Sequence, residues 1–394
     1  MPRPAPSPFL SSPASEPRAD AQLRRWGPLA VAALALLLYL NILPNTFILD
    51  DRALILENSW LRSSDGWKKI LTSNVLGFQG QASISNYYRP LMHLSFWAGY
   101  RVFGERPAGY HVLSVLMHAL VSLLVYALVT RLSEDRRTGL VAGLLFAAHP
   151  VHTENVCWIA GYPDVQTTLF TLLAWWLYLL SASQEGKPWR RCTAAGVAIC
   201  FLLALLAKET AVVLPAILLA YELLLRRAGP RQLLGRRWPE WLGLALAFAA
   251  YLLLRHRALG GLMPHTQWSG MTRSEAGWTA AALLFHYWAK IVWPAELNIF
   301  PYIPPSRSPL EWPVIAGLAA AILVAALAYW LWRQRRPELL GLVVFLVALA
   351  PSFALPYADI GLLLGERYLY LSSVGFCWLA AWLWTGAAGR WGWK

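Results

Sequence analysis

The chain has 394 residues, is 57% apolar and only 14% charged, holds 22 Trp and carries a formal net charge of +13. That composition excludes an ordinary soluble domain. It does not mark a nucleic-acid binder either, because Lys and Arg fall in short clusters between apolar runs, as in cytoplasmic membrane loops.

Residues 1–25 are rich in Pro, Ser, Ala and Arg and lack an apolar core, so they read as a disordered cytoplasmic tail. The first apolar run, 27–43, follows Arg24 and Arg25, which hold its start in the cytoplasm. It has no small-residue cleavage site and reads as an uncleaved span. Residues 44–108 then form a first outer loop. Its Trp60, Trp67, Tyr87, Tyr88, Trp97 and Tyr100 suit helices lying in the membrane interface. Near its start stand Asp50 and Asp51. Adjacent carboxylates repel and need solvation, so a solvated turn after a membrane helix is the plain reading. The sharper reading is the acidic centre of a transfer site.

Further spans are predicted at 110–130, 139–148, 165–180, 193–206, 211–225 and 240–254. Residues 256–313 form a second outer loop. Within it, 278–293 is apolar enough to span, but His286 and Lys290 interrupt one helical face. It is read as interfacial, which keeps Arg333, Arg335 and Arg336 inside. Spans at 314–332, 338–355 and 368–385 complete a membrane domain over 26–388, and 389–394 is a cytoplasmic tail. The inner loops hold fourteen Lys and Arg against two in the short outer connections, which sets the orientation. The expected fold is an all-α polytopic membrane protein of roughly ten spans with both termini cytoplasmic. The four cysteines read as small buried hydrophobes.

This topology gathers Asp50, Asp51, Arg89, His149, His152, Glu154, Asp164, Lys208, Glu209, Glu366 and Arg367 on the outer side, at membrane boundaries. Ionisable groups there are costly and tend to pair or to serve a pathway. Together they imply a polar cavity between helices. Each has a plainer alternative. Tyr87-Tyr88-Arg89-Pro90 reads as an interfacial anchor, Lys208-Glu209 as a self-neutralising pair in a turn, Glu366-Arg367-Tyr368 as another interfacial pair and Asp164 as a helix cap. His149, His152 and Glu154 are weak metal-ligand candidates whose spacing matches no standard zinc pattern, and a divalent metal is not the favoured reading.

Several segments resemble a known family as an ordered set. They are Asp50-Asp51, Tyr88-Arg89-Pro90-Leu91, Gly109-Tyr110-His111, and His149-Pro150-Val151-His152-Thr153-Glu154 with Gly161 and Asp164. Ala207-Lys208-Glu209, Trp293-Pro294 and Glu366-Arg367-Tyr368-Leu369-Tyr370-Leu371 complete the set. Over residues 45–380 the chain resembles the membrane region of the transmembrane and tetratricopeptide-repeat O-mannosyltransferases and their bacterial relatives. More broadly it resembles the protein O-mannosyltransferase-like GT-C glycosyltransferases. The resemblance implies a GT-C helical bundle with interfacial helices in the outer loops. It also implies a sugar donor on a polyprenyl phosphate, and an acid of the first outer loop as catalytic base, here Asp50 or Asp51. The eukaryotic relatives continue into tetratricopeptide repeats. This sequence stops at Lys394, which leaves the acceptor, protein or glycan, open.

The expected activity is inverting sugar transfer from that donor to an acceptor hydroxyl on the non-cytoplasmic face, with no cofactor required. Asp50 is assigned as base and Asp51 as its partner, with the reverse left open. Arg367, Arg89 and Lys208 are the donor-phosphate candidates, Arg367 first because its guanidinium binds phosphate bidentately. His149, His152, Glu154, Asp164, Glu209, Tyr88 and Glu366 are assigned to the acceptor side or cavity lining. The expected setting is a bacterial inner membrane with the site facing the periplasm or exterior, or the lumenal face of the ER membrane in a eukaryote. A transporter or flippase of lipid-linked saccharides is the competing reading.

Overall fold

The chain forms a bundle of sixteen α-helices in a computed structural model that describes residues 18–80, 85–182, 189–262, 270–357 and 363–390. Residues 1–17 and 391–394, most of the two predicted tails, lie outside the described residues. Helix α1 is Arg18–Leu38, so it begins inside the stretch expected to be tail. The loop that follows carries three helices, α2 (Ser59–Arg62), α3 (Gly66–Thr72) and α4 (Pro90–Phe103). Next come α5 (Pro107–Ser133), α6 (Arg136–Ala148), α7 (Thr153–Cys157), α8 (Tyr162–Ala182) and α9 (Arg190–Ala207). The chain continues through α10 (Leu214–Leu224), α11 (Pro230–Arg236), α12 (Trp238–Leu259), α13 (Arg273–Val292), α14 (Trp312–Arg333), α15 (Glu338–Leu349) and α16 (Leu369–Arg390).

Among the described residues, eight helical stretches are long and apolar enough to cross a membrane. The chain is therefore an integral, multi-pass membrane protein. Ten spans were expected. The two that fall short are α6, with 13 residues, and α10, with 11, against the roughly 20 that a bilayer core requires. Both are nevertheless packed inside the bundle, α6 between α1, α5 and α16, and α10 against α15. The stretch expected to lie in the interface is α13, which packs along α14.

Local sequence explains where the helices start. Asp135 caps α6 by accepting from the backbone N–H of Arg137 and Thr138, at 3.1 and 3.0 Å. Thr272 and Glu275 form a capping box at the head of α13. Proline in the first turn opens α5, α10, α12 and α14. The core lies between α5, α6, α8, α9, α15 and α16, around Trp175, Phe201, Tyr178 and Trp378. Helix α14 is the opposite case: only 17% of its most apolar window is buried, which suits a helix facing lipid. Cys200 and Cys377 are buried as expected, Cys157 is half-buried, and Cys192 is exposed.

Two helix crossings depend on glycine for space. A Cβ on Gly375 of α16 would stand 2.1 Å from the Gly341 carbonyl oxygen and 2.6 Å from the Phe345 nitrogen, both backbone atoms of α15. A Cβ on Gly317 of α14 would stand 1.9 Å from the Ala281 carbonyl oxygen of α13. Backbones approach this closely in membrane bundles because lipid provides no hydrophobic drive, and packing must supply the adhesion. Gly375→Ala is therefore expected to force α15 and α16 apart and to cost about 1–3 kcal/mol. A thermal melt in detergent should fall by several degrees; an unchanged melt would remove the close crossing from the account.

Candidate functional site

The polar residues expected to share one side do converge, in a chain of four ion pairs. Arg89, at the head of α4, grips Glu209 with both its arms, Nη2 to Oε1 at 2.6 Å and Nε to Oε2 at 3.2 Å. Lys208 Nζ meets Asp164 Oδ1 at 2.6 Å. Arg367 Nη1 meets Glu154 Oε1 at 3.0 Å, and its backbone N–H donates to Oε2 at 2.8 Å. Lys290 Nζ meets Glu366 Oε1 at 2.8 Å, and the Asn298 N–H donates to the same oxygen at 2.9 Å. Neighbours along the chain join the pairs, since Lys208 adjoins Glu209 and Glu366 adjoins Arg367. Tyr368 lies between two of the cations, its ring 4.8 Å from Lys208 Nζ and 5.7 Å from the Arg367 guanidinium carbon.

Local backbone geometry accounts for this wiring. Helix α9 ends at Ala207, and Lys208 is extended, with φ −158° and ψ 139°. Successive side chains in extended backbone point to opposite sides. Lys208 therefore turns to α8 and Glu209 to α4, and each has its direct ion pair with a distant residue and not with the other. Glu366 and Arg367 also part, here within the 3₁₀ turn Glu366–Tyr368: Glu366 bonds Lys290 of α13 and Arg367 bonds Glu154 of α7. Asp164 stands in the first turn of α8 as expected, but with Lys208 as its partner.

Burial sets the electrostatics. Desolvation pushes the Glu154 carboxyl up to about 7, against the pull of the Arg367 charge and N–H. Glu209 goes the other way. Burial would raise it, but Arg89 and Lys208 together hold it well below the usual carboxylate range. Burial lowers Lys208, and the Asp164 charge opposes that fall.

Beside these pairs lies a cavity of about 360 Å³. Glu154 and Glu366 line it, together with Thr153, Trp158, Asn298 and the first-loop residues Asn45, Thr46 and Ile48. The turn beginning at Ile48 carries the aspartate pair, whose two members have opposite environments. Asp51 is buried, 1% exposed; its Oδ1 accepts from the Ala160 N–H at 2.7 Å and its Oδ2 from the Ile48 N–H at 3.2 Å. Asp50 is exposed. Between them and Ile48 sits Leu49 at φ 48°, a left-handed conformation that costs a leucine energy. Asp51 thus fastens a strained turn to Ala160, just ahead of α8, and Asp50 is left exposed two residues beyond Ile48 of the cavity wall.

Of the seven expected lining residues only Glu154 and Glu366 line this cavity; Asp164 and Glu209 are held in the ion pairs, and the other three have different partners. Tyr88 is fully buried, its hydroxyl donating to the Leu71 carbonyl at 2.8 Å, and Tyr87 is the ring that lies 4.3 Å from the Arg89 guanidinium. His149 bonds the Ile291 carbonyl at 3.0 Å. His152 is fully buried against Phe146 and Tyr370, its Nε2 2.8 Å from Ser373 Oγ. Burial holds both imidazoles below their ordinary pKa, hence neutral at pH 7. His149, His152 and Glu154 therefore go to three separate partners. Among the described residues no group of three or more His, Cys, Asp or Glu is arranged to hold a metal. Lys290 and Asn298 belong to the site but were not among its expected members. The interruption of an apolar stretch by Lys290 was the available signal.

Desolvation pushes the Asp51 carboxyl up to about 6; the bonds from Ile48 and Ala160 pull down, and Asp50 adds repulsion. A carboxyl raised in the fold penalises the folded protein fully above pH 6, and the penalty fades as pH falls from 6 towards 4. Asp51→Asn carries no such penalty. On acidification below pH 6 the wild type should gain on the variant by on the order of 1 kcal/mol per pH unit. Melting curves in detergent at pH 7, 6 and 5 measure the difference; parallel pH profiles would contradict the buried carboxylate.

Residues 89–254 match the family profile described as dolichyl-phosphate-mannose-protein mannosyltransferase. Mouse protein O-mannosyl-transferase TMTC2 is 36% identical over 196 residues, 49% of this chain and 23% of that protein. Mouse TMTC3 is 26% identical over 386 residues, 89% of this chain and 41% of that protein. Human TMTC4 is 26% identical over 413 residues, 89% of this chain and 54% of that protein. The chain thus spans between about a quarter and a half of these relatives. A crystal structure of the Archaeoglobus fulgidus oligosaccharyltransferase, tethered to an acceptor peptide, aligns over 91% of this chain and 50% of that one, with 16% identity and a TM-score of 0.45. Over its membrane region the chain resembles the TMTC protein O-mannosyltransferases.

Proposed function

We propose that the chain is an inverting GT-C glycosyltransferase that moves a sugar from a polyprenyl-phosphate donor to an acceptor hydroxyl. The observation that carries this reading is the division of labour in the aspartate pair: a buried Asp51 anchors the turn, and an exposed Asp50 follows two residues after Ile48, which lines a cavity together with the ion-paired Glu154 and Glu366. The description of the matched family as dolichyl-phosphate-mannose-dependent supports the donor class, and the relatives' names favour mannose and a protein acceptor. The site would face away from the cytoplasm, in keeping with the Lys and Arg bias.

In this mechanism the acceptor oxygen attacks the anomeric carbon as the bond from that carbon to the phosphate oxygen breaks. Asp50 takes the hydroxyl proton. The polyprenyl phosphate leaves with the electron pair, and fixed cations offset the charge that develops on it. Arg367 is the first of these, with a side chain 21% exposed and only Nη1 engaged by Glu154. Arg89 and Lys290, each 18% exposed, are also within solvent reach. Lys208 is 4% exposed, so it holds Asp164 in place behind the site.

Asp50→Asn should reduce transfer by about 10²-fold or more while leaving the melting temperature unchanged. The assay is reconstituted protein with a radiolabelled polyprenyl-phosphate sugar. Sugar that stays on a lipid moved across the bilayer would instead identify a flippase. Arg367→Lys keeps a cation for Glu154 but loses the planar fork. It should raise the donor KM about tenfold and alter kcat less. A donor KM equal to that of the wild type would take Arg367 out of donor binding.

A further inference from the structure

At the other end of α10 and α15 from the ion-paired site lies a second cavity, of about 440 Å³. It opens where the C-terminal ends of α10 and α14 meet the start of α15. Arg227, Arg333, Arg335 and Arg336 line it, with no acid among the lining residues. The rest of the wall is apolar and includes Leu223 and Trp332, which are 49% and 59% exposed on membrane-spanning or membrane-packed helices. At the Asp50 end every cation of the site is matched to a carboxylate. Here, among the described residues, none of the four arginines forms an ion pair. Arg336 does lie over the Trp382 ring, at 5.8 Å, and Glu338 lines a neighbouring cavity.

Two of these arginines occupy positions that normally call for glycine. Arg227 has φ 51° and Arg335 φ 54°. Arg335 follows the end of α14 in a Schellman turn: its own N–H donates to the Trp332 carbonyl at 3.0 Å and the Arg336 N–H to the Leu331 carbonyl at 2.9 Å. Glycine adopts the left-handed conformation without strain. Two separate helix ends therefore give up the cheaper residue for a guanidinium, and both guanidinium-bearing residues line the same cavity.

We propose that this cavity binds the headgroup of an anionic phospholipid. The phosphate sits among the arginines, which suit it in charge and in fork geometry, and the acyl chains run along Leu223 and Trp332. A free phosphate would satisfy the cations but leave the apolar wall uncovered. The site is independent of the sugar-transfer reading, because it shares no residue with the Asp50 end.

The test uses the full chain in detergent, with bound lipid measured by native mass spectrometry. Phosphatidylglycerol should be retained over phosphatidylcholine. The double variant Arg227→Gly/Arg335→Gly removes two charges where glycine is the less strained residue. It should lose phosphatidylglycerol by about tenfold or more while its melting temperature in phosphatidylcholine nanodiscs holds or rises. Arg333→Gln, within a helix, should weaken retention on its own. Millimolar inorganic phosphate at fixed ionic strength should not displace the lipid. Equal lipid retention by the variants, a lower melt of the double variant in phosphatidylcholine, or full displacement by inorganic phosphate would each overturn the proposal.

Discussion

A carboxylate withdrawn from water at a membrane boundary needs compensating donors, and at the Asp50 end four carboxylates find them in cations, which organises that end of the bundle. Breaking one partner out of such a pair costs about 3–5 kcal/mol, because the other charge stays buried. Four pairs bring together α4, α7, α8, α13, the α9–α10 junction and the approach to α16. Those segments are far apart in the chain: Glu154 and Arg367 are separated by 213 residues, Arg89 and Glu209 by 120. Apolar packing brings the helices into contact but is tolerant of small slides. The pairs are directional, so they set which helix end meets which. A second buried cluster, Arg237 with Glu222 and Glu240, ties α8, α10 and α12 in the same way.

Helix positions were legible in the sequence because hydrophobic length is a local property. The runs at 110–130, 165–180 and 314–332 fall within α5, α8 and α14. The convergence of charges was legible too, since topology sorts loops before any contact is known. Partners within the cluster were not. Lys208-Glu209 and Glu366-Arg367 each look self-neutralising as text, yet each splits between two distant helices. What decides this is the local backbone, extended at Lys208 and a 3₁₀ turn at Glu366–Tyr368, together with the approach of elements dozens of residues away. Composition and spacing contain neither. Lys290 escaped for a related reason. A lysine inside an apolar stretch argues about spanning, and only the fold brings Glu366 to it.

Adjacent residues with opposite fates recur in the first loop. Asp51 and Tyr88 are buried and bonded to backbone; Asp50 is exposed and Tyr87 lies against Arg89. A dipeptide motif marks the place without saying which member is buried. Between the aspartates, one carboxylate cannot easily serve both needs. A group that accepts two backbone N–H bonds in a dry site is held still and has its lone pairs occupied. A base must reach a proton and release it again. The buried aspartate suits the first task and the exposed one the second.

The pairing also ranks the cations in the proposed reaction. Lys208 is a single strongly hydrated charge, enclosed and already directed at Asp164, so a phosphate would have to take it from that carboxylate. Arg367 has five N–H donors, and Glu154 engages its Nη1 alone. The remaining edge can meet a phosphate without leaving Glu154 uncompensated. The carboxylate then orients the guanidinium in advance, and no rearrangement is needed as charge builds on the leaving group. Which cation touches the donor is in this view decided by unused donors and exposure. Net charge alone would have treated the three candidates as equals.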